Sequence, residues 1–220
     1  QRQMCIRDRI LAYDNAGQML AQTELVFGML CAAETNDRMQ ALQEQAMPLL
    51  AAHRDKIRLD DKLFVRVKEV YDRRAALGLD AEQMRLLQKT YDSFVRAGAL
   101  LDAEQKARLK EINGQLSLTA VKFGNNILAE NNNFVLELKS DELDGLPAGI
   151  RDAAREKAQQ MGKGDKWVFT LHKPSLIPFL TYSAKRDLRE KIYKAYLNRC
   201  NNGDQYDNKQ LINDLSLIHI

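Results

Sequence analysis

The 220-residue sequence is poor in cysteine and proline, with three and four residues respectively, although 45% of it is hydrophobic. No segment approaches the ~18 to 20 consecutive apolar residues that a membrane-spanning helix needs, and the first residues lack the apolar core of a signal peptide. Cys31 and Cys200 lie far apart, which favours buried free thiols over a disulfide framework or a zinc knuckle. We therefore expect a globular protein of the reducing cytoplasm without a membrane partner, unless a signal preceded residue 1.

Histidine is equally scarce. The three histidines are His53, His172 and His219, and none has a second histidine four residues away. Two imidazoles at that spacing, with a glutamate after the first, would lie on one face of a helix and hold zinc. The sequence therefore predicts no metal-binding, cofactor-binding or catalytic residue. We expect His53 to interact with the C-terminal dipole of a helix, and His172 to be exposed on the polar side of a strand.

The formal net charge is only +3, and most of it comes from Arg2, Arg7 and Arg9 against Asp8 at the start of the chain. So small a charge elsewhere argues against nucleic acid or an acidic membrane as a partner. A basic run later in the chain is interleaved with acidic residues, which predicts a solvated, ion-paired helix face in preference to a phosphate or nucleic-acid site. The run comprises Arg186, Asp187, Arg189, Glu190, Lys191, Lys194 and Arg199.

The two ends of the sequence do not continue the patterns beside them. Residues 1–9 (QRQMCIRDR) and 216–220 (SLIHI) resemble translated sequencing adapters. We therefore expect the domain to span residues 10–215, with both end segments packing poorly. A disordered tail with genuine basic residues is the alternative at the start of the chain.

Helix start signals recur at three Leu-Asp pairs, where Asp60, Asp80 and Asp102 each precede a segment with helical apolar spacing. An aspartate at this position accepts hydrogen bonds from the free amides of the first turn and offsets the positive end of the helix dipole. Gln83 and Gln105 follow three residues later, at the capping-box position. Three helices are therefore predicted to begin near these aspartates.

The last of these three helices is predicted to be long. Its apolar residues continue at three- and four-residue steps as far as about residue 130, which gives ~40 Å at 1.5 Å per residue. Gly78 and Gly98 provide left-handed positions at which the two preceding helices can end. Upstream, apolar spacing predicts one helix around residues 19–30 and another over 36–57, with Pro48 kinking or splitting the second.

After an asparagine-rich turn the apolar period changes from helical to alternating. Residues 134–139 (FVLELK) and 167–172 (WVFTLH) are predicted to pair as two half-buried strands. A short helix with Pro147 in its first turn is predicted between them. A further helix is predicted around residues 188–197, and Asp207 is expected to cap one that breaks off near the end of the chain. The predicted fold is mainly α, with one small two-stranded β element.

The order of several landmarks carries a resemblance that no single motif would carry. They are PLLAAHRDKIRLDDKLFVRV at 48–67, LGLDAEQMRLL at 77–87, YDSFVRAGALLDAEQKARLKEIN at 91–113, ELDGLP at 142–147 and RDLREKIYKAYLNR at 186–199. Together they resemble the N-terminal helical region of the thimet-oligopeptidase family of zinc metallopeptidases, most closely its bacterial peptidyl-dipeptidase branch. The resemblance covers most of residues 11–215.

The resemblance implies a mostly helical body divided by a deep channel, in which this part of the chain forms a wall that admits only short, unfolded peptides. It also implies a later catalytic portion of the parent protein, where two histidines and a glutamate hold zinc and a second glutamate activates the bound water. Because none of those positions is matched here, no catalytic residue carries over. The chain alone is expected to be inactive and to bind no zinc, and its expected partners are short peptides and that missing catalytic portion.

A free-standing, non-catalytic helical interaction module is the alternative function. Such a module should end between structural elements, whereas this sequence stops within the helix predicted after Asp207, which favours a fragment of an oligopeptidase. Four tyrosines could line a peptide channel, although core packing with the hydroxyl at the edge is the default role of such residues. They are Tyr182, Tyr193, Tyr196 and Tyr206.

Overall fold

A computed structural model describes residues 6–217, which form two compact units. The first unit ends at Val121 and the second begins at Lys122. The fold is mainly α with one small antiparallel sheet, as predicted. After a π-helical turn at Ile6–Leu11, the elements are α1 (Ala12–Asp14), α2 (Gln18–Ala33), α3 (Asp37–Arg58), α4 (Asp61–Asp72), α5 (Ala81–Arg96), α6 (Ala103–Asn133), β1 (Leu136–Leu138), α7 (Ala148–Gln160), β2 (Trp167–Phe169), α8 (Lys173–Tyr182), α9 (Arg186–Leu197) and α10 (Lys209–Leu217).

The three predicted helix starts are confirmed. Asp60, Asp80 and Asp102 lie directly before α4, α5 and α6, and their carboxylates accept hydrogen bonds from backbone amides three residues on, at 2.7 to 2.8 Å. The side chains of Gln83 and Gln105 accept in return from the backbone amides of Asp80 and Asp102, at 3.4 and 3.2 Å. These reciprocal bonds satisfy amides that have no partner within the helix, so the start of each helix is fixed by its own sequence.

The core of the first unit lies where α4 and α5 pack together. Tyr71 of α4 stacks on Tyr91 of α5, with ring centroids 3.8 Å apart and planes 4° from parallel. Gly98 ends α5 with φ of 95°, and a side chain there would approach the Leu109 side chain to 2.7 Å, so this position requires glycine. The buried apolar residues of this core are Ile10, Phe64, Val67, Val70, Leu87, Phe94 and Ala99.

The two upstream helices are present as predicted, with two differences in detail. The helix predicted around residues 19–30 exists as α2, but Met19, Val26 and Leu30 of its apolar stripe are exposed. The split predicted as one outcome at Pro48 does not occur, because α3 is continuous from Asp37 to Arg58. A proline removes a single amide from the hydrogen-bond ladder, and the turns on either side can hold the helix together.

The second unit is built around the predicted strand pair, which is shorter than expected. Leu136 of β1 pairs with Phe169 of β2 in antiparallel register, and β2 ends there. His172 therefore does not lie on a strand but at the N-cap position of α8, since Pro174 fits the first turn of a helix. Helix α8 was not predicted from the sequence. The buried core comprises Leu136, Leu138, Leu143, Leu146, Ala154, Phe169, Leu171, Leu176, Phe179 and Ile192.

The last helix begins one residue later than predicted. The cap position of α10 is taken by Asn208, whose side chain is buried, while the Asp207 carboxylate accepts from the amide of Lys209 at 2.9 Å. Within residues 6–217, no helix is long and apolar enough to cross a membrane.

The adapter origin of the two end segments stays a prediction. Residues 1–5 and 218–220 lie outside the described part of the chain. Of the remaining residues, Arg9 forms an ion pair with Glu69 at 2.5 Å, and α10 continues through Ser216 to Leu217.

Candidate functional site

The two described histidines belong to different units of the structure. His53 is exposed on α3 in the first unit, and His172 is exposed in the second unit with its Nε2 atom 3.2 Å from Asn132 Oδ1. His219 lies outside the described residues. Across the part of the chain that the structure describes, no group of three or more His, Cys, Asp or Glu residues could hold a metal ion. The expectation that the chain binds no zinc stays a prediction.

The most elaborate polar arrangement lies in the second unit, where the end of α6 meets the loop between α9 and α10. The Glu130 carboxylate accepts hydrogen bonds from the backbone amide of Cys200 and the side-chain amide of Asn202. Beside it, Asn131 Oδ1 accepts from Arg199 Nη1 at 3.0 Å. We call these five residues the polar latch, because they tie the α9–α10 loop to α6.

Cys200 occupies an unusual backbone position in the polar latch. Its φ of 56° lies in the left-handed region, which a non-glycine residue adopts only where surrounding contacts hold it. Burial first, and then the hydrogen bond to the Glu130 carboxylate, raise the pKa of its thiol to about 11. A thiol with so high a pKa is protonated at neutral pH, so Cys200 is a structural residue and not a nucleophile.

A groove of about 390 Å³ lies next to the polar latch. Asn126 and Asn208 form a buried hydrogen bond of 2.8 Å beside it, and the Arg199 guanidinium lies 3.9 Å from the centre of the Tyr196 ring. The groove is lined by Phe123, Ile127, Tyr196, Leu197, Arg199, Cys200, Asn201, Asn208, Lys209 and Ile212. Apolar and aromatic walls with a cation at the rim can accept an apolar side chain, but they offer no acid–base pair for catalysis.

A second groove of the same unit, about 370 Å³, runs between α7 and the segment that joins β2 to α8. Its walls are mainly apolar and include Ile150, Ala153 and Phe169. At its edge, the Ser175 hydroxyl accepts a hydrogen bond from the backbone amide of Thr170 at 3.0 Å. Because this hydroxyl is engaged in holding the chain after β2, it serves the fold and is not activated for attack.

The first unit has a groove of mixed charge, about 390 Å³, lined in part by Asp55, Asp60, Asp61 and Lys110. Its carboxylates already have structural partners. Asp61 pairs with the buried Lys106, Asp55 accepts from Asn113 Nδ2 at 2.8 Å, and Asp60 caps α4. Paired carboxylates of this kind stabilise the helix junction and are not poised to transfer protons.

Most of the basic run lies on α9, where one ion pair of the predicted kind is found. Lys194 lies 2.5 Å from Glu190 one turn away, and its hydrogen bond lowers the pKa of that carboxyl. Arg189 donates to the backbone carbonyl of Ser183. Lys194 and Arg189 on this helix face therefore have partners within the chain.

The four tyrosines differ in burial: Tyr206 is partly buried, and the other three divide into two groups. Tyr196 packs against the core of the second unit, in agreement with the default prediction. Tyr182 and Tyr193 are about half exposed, so core packing does not describe them. They present aromatic surface from α8 and α9 to solvent in the described structure.

The contacts of the polar latch were not predicted from the sequence. Glu130 lies near the end of a long helix, where charged residues usually face solvent, and its partners follow some 70 residues later. One signal was available. Asn126 falls beside Phe123 and Ile127 on the apolar stripe of α6, and a polar residue in an apolar stripe needs a buried partner, which Asn208 provides.

Comparison with known proteins identifies the relatives of the chain. No family model matches it. Dipeptidyl carboxypeptidase of Escherichia coli is 34% identical over 207 residues, which is 94% of this chain and 30% of the relative. Oligopeptidase A of Haemophilus influenzae is 31% identical over 144 residues, 63% of this chain and 21% of the relative. Oligopeptidase A of E. coli is 25% identical over 215 residues, 92% of this chain and 32% of the relative.

The chain thus spans about a third or less of the length of these curated relatives. The identity is higher to the E. coli dipeptidyl carboxypeptidase than to the oligopeptidase A of the same organism, in keeping with the branch that the landmarks indicated. The aligned region also takes in both units of the described structure, since it covers 94% of the chain. On these grounds the chain belongs to the thimet-oligopeptidase family of peptidases.

Proposed function

We propose that this chain is part of a zinc metallopeptidase of the peptidyl-dipeptidase or oligopeptidase type, which hydrolyses short peptides. Its portion would form a wall of the substrate channel and would not contribute the zinc site. The observation that carries the proposal is the alignment of 94% of the chain with 30% of the E. coli dipeptidyl carboxypeptidase.

The chemistry of the described surface supports a wall in preference to a catalytic centre. The grooves of the second unit are lined mainly by apolar and aromatic side chains, with Arg199 and Lys209 at the rim of one of them. Such grooves suit the side chains of an unfolded peptide better than they suit bond cleavage. Tyr182 and Tyr193 add exposed aromatic surface of the kind that stacks against peptides.

Zinc in the whole protein would polarise the peptide carbonyl and lower the pKa of a bound water. The described residues do not fit a zinc site, because His53 and His172 belong to different units and no group of three or more His, Cys, Asp or Glu residues among them could hold a metal ion. The ligands are therefore proposed to lie in another part of the parent protein.

A cytoplasmic location is proposed from the scarcity of cysteine. The names of two plant relatives point in different directions. One is a probable cytosolic oligopeptidase A and the other an organellar oligopeptidase A, both of Arabidopsis thaliana. Fractionation of the source cells, with immunodetection of the chain, would locate the protein.

The proposal is tested by comparing the 220-residue chain with the whole protein encoded by the parent gene. Clean reads of that gene should replace the codons for residues 1–9 and 216–220 and continue into a His-Glu-x-x-His motif. The purified whole protein should hold stoichiometric zinc and cleave blocked tetrapeptides until a chelator is added. The chain alone should do neither.

Two results would contradict the proposal. Stoichiometric zinc and chelator-sensitive cleavage by the 220-residue chain would place the active site within it. A stop codon directly after Ile220, in a genome where no peptidase portion follows, would favour the interaction module instead. Mass spectrometry of the products would separate dipeptide release from internal cleavage, with a C-terminally amidated peptide as the control substrate.

A further inference from the structure

Helix α2 presents a wide apolar surface to solvent. Its exposed large side chains are Met19, Leu20, Leu25, Val26, Met29 and Leu30. Met19 is 83% exposed, Leu25 64% and Met29 62%, and none of the described residues of α2 is buried. A helix that is apolar on nearly all sides is normally buried in a protein interior, so this surface, which we call the α2 face, indicates a missing partner.

The α2 face is also almost without charge. Glu24 is the helix's single acidic or basic residue, and it pairs with Arg54 of α3. Glu24, Phe27 and Cys31 are half buried and lie three and four residues apart, so they mark the side that faces α3. All other sides of the helix are uncharged, and an apolar surface of the partner is the chemistry that matches them.

A groove runs along the exposed side of α2, lined by Ala21, Leu25, Gly28, Met29 and Ala32 together with Glu24. The small residues at 21, 28 and 32 share one helix face and form its floor, and a Cβ atom added at Gly28 would lie more than 4 Å from every atom outside the adjoining backbone. Small residues in a row allow the backbone of a second helix to approach closely, while Leu25 and Met29 interdigitate with its apolar stripe.

The size of the α2 face decides between two possible occupants. The helix has 16 residues, so it is ~24 Å long and ~10 Å wide, and its footprint is on the order of 250 Å². A stable complex between separate proteins buries about 800 Å² on each side, and even twice the footprint falls short of that value. A second copy of this chain would therefore bind weakly through this surface.

A helix within the same polypeptide avoids that limitation, because a covalent link gives it an effective concentration in the millimolar range. We propose that the α2 face is an intramolecular docking surface for an amphipathic helix of the parent protein that lies outside this 220-residue stretch. This inference rests on the proposed function, in which the chain is a portion of a longer peptidase. The relatives are about three times as long as the matched region and so have ample further chain to supply such a helix.

Methionine oxidation measures whether the α2 face is covered. Hydrogen peroxide oxidises exposed methionines fastest, and peptide mass spectrometry follows each one separately. In the 220-residue chain Met19 and Met29 should react quickly. In the whole protein both should react about tenfold more slowly, while the half-buried Met161 of the second unit, the internal control, reacts at the same rate in both.

A substitution in the groove identifies the contact. Gly28→Leu should leave the unfolding midpoint of the 220-residue chain unchanged or slightly higher, because the position is open and Leu favours the helix. In the whole protein the added side chain should displace the docked helix and return Met19 and Met29 to the fast oxidation rate of the isolated chain. Gly114→Leu, another open helical glycine, is the matched control and should leave both rates unchanged.

Three outcomes would overturn the inference. Equal oxidation of Met19 and Met29 in chain and whole protein would show that no helix docks there. Protection in the isolated chain that is lost on dilution would show that a second copy covers the face. Unchanged protection in the Gly28→Leu whole protein would place the partner elsewhere. Peptidase activity is scored separately: an active enzyme with fast oxidation contradicts the docking alone, and an inactive protein with protected methionines contradicts the proposed function alone.

Discussion

Helices α2 and α5 each contain 16 residues and belong to the same unit, yet they are stabilised in opposite ways. The α5 helix begins with a capping box at Asp80 and buries Leu87, Thr90 and Phe94. The α2 helix follows Gly17, which has no side chain to cap it, and none of its described residues is buried.

The difference shows that apolar content does not by itself produce packing. The α5 helix confines its apolar residues to one face, and that face has a partner in α4. The α2 helix spreads its apolar residues around its circumference and contacts α3 along a narrow side. Tertiary contacts therefore stabilise α5, whereas α2 buries none of its described residues.

The largest expected effect comes from removing a ring in the packed helix. Phe94 is fully buried, with its ring centre 5.4 Å from that of Tyr13 and 6.1 Å from that of Phe64. Phe94→Ala should lower the free energy of unfolding by about 3–5 kcal/mol, since it removes apolar contact and leaves a cavity. Urea unfolding followed by circular dichroism would measure the loss.

Met29→Ala in α2 is the matched control for Phe94→Ala. The Met29 side chain is 62% exposed, so its removal should change the free energy of unfolding by less than about 0.5 kcal/mol. Similar losses for the two variants would mean that α2 is packed in solution, and the contrast between the helices would fail.

Thiol reactivity should next separate the α2 helix from the polar latch. Cys31 is half buried on α2, whereas Cys200 is buried in the polar latch with a pKa of about 11. At pH 8 only about one Cys200 in a thousand is a thiolate, so a maleimide should label Cys31 first in a Cys5→Ser background. Mass spectrometry of digested protein gives the order.

Labelling of Cys200 should accelerate in urea or as the pH rises toward 11, because unfolding removes the burial that raises its pKa and higher pH removes its proton. Glu130→Gln is the informative variant, since it keeps a hydrogen-bond acceptor but removes the charge beside the thiol. Labelling of Cys200 at the same rate as Cys31 in the native protein would contradict the closed polar latch.

A smaller effect is expected from the cap of α5. Asp80→Ala removes the acceptor for the Gln83 amide, whose bond measures 2.8 Å, and should destabilise the protein by about 1 kcal/mol. Asp80→Asn keeps an acceptor at the same position and should lose much less. Equal losses in thermal unfolding would show that the charge, and not the cap, stabilises the helix.

The local signals of the sequence were sufficient for much of this fold. Asp60, Asp80 and Asp102 located three helix starts because a cap acts on its own helix within four residues. The pairing of the two strands also followed from their alternation, although both were predicted too long. Predictions of this kind succeed because the interaction that fixes the structure lies within the segment being read.

Features that depend on distant residues could not be predicted in the same way. Helix α8 contains Pro178 in its interior, which argues locally against a helix, but its Leu176 and Phe179 are held in the core of the second unit. The polar latch joins Glu130 to Asn202 across 72 residues. The exposure of α2 was not foreseen either, because an apolar spacing shows which residues could be buried but not whether a partner is present.

The smallest expected effect concerns the ion pairs at the surface of each unit. Glu137 of β1 accepts hydrogen bonds from Lys166 and Lys163, which lower its pKa from the usual 4.5 to about 2. A carboxyl whose pKa is lower in the folded state adds stability above pH 4.5 and loses that contribution as the pH falls toward 2. On α2, Glu24 forms an ion pair with Arg54.

Carbon-detected NMR titration should therefore show the Glu137 carboxyl protonating near pH 2, and added salt should move that midpoint upward because exposed ion pairs are screened. Glu137→Gln should leave stability at neutral pH nearly unchanged, as surface pairs contribute little, while removing part of its pH dependence between 4.5 and 2. Glu24→Gln is the matched control on the exposed helix α2. A titration midpoint of Glu137 near pH 4.5 at low salt would mean that Lys163 and Lys166 do not pair with its carboxylate when the protein is in solution. The ion pairs of β1 would then contribute no more to stability than the pair on α2.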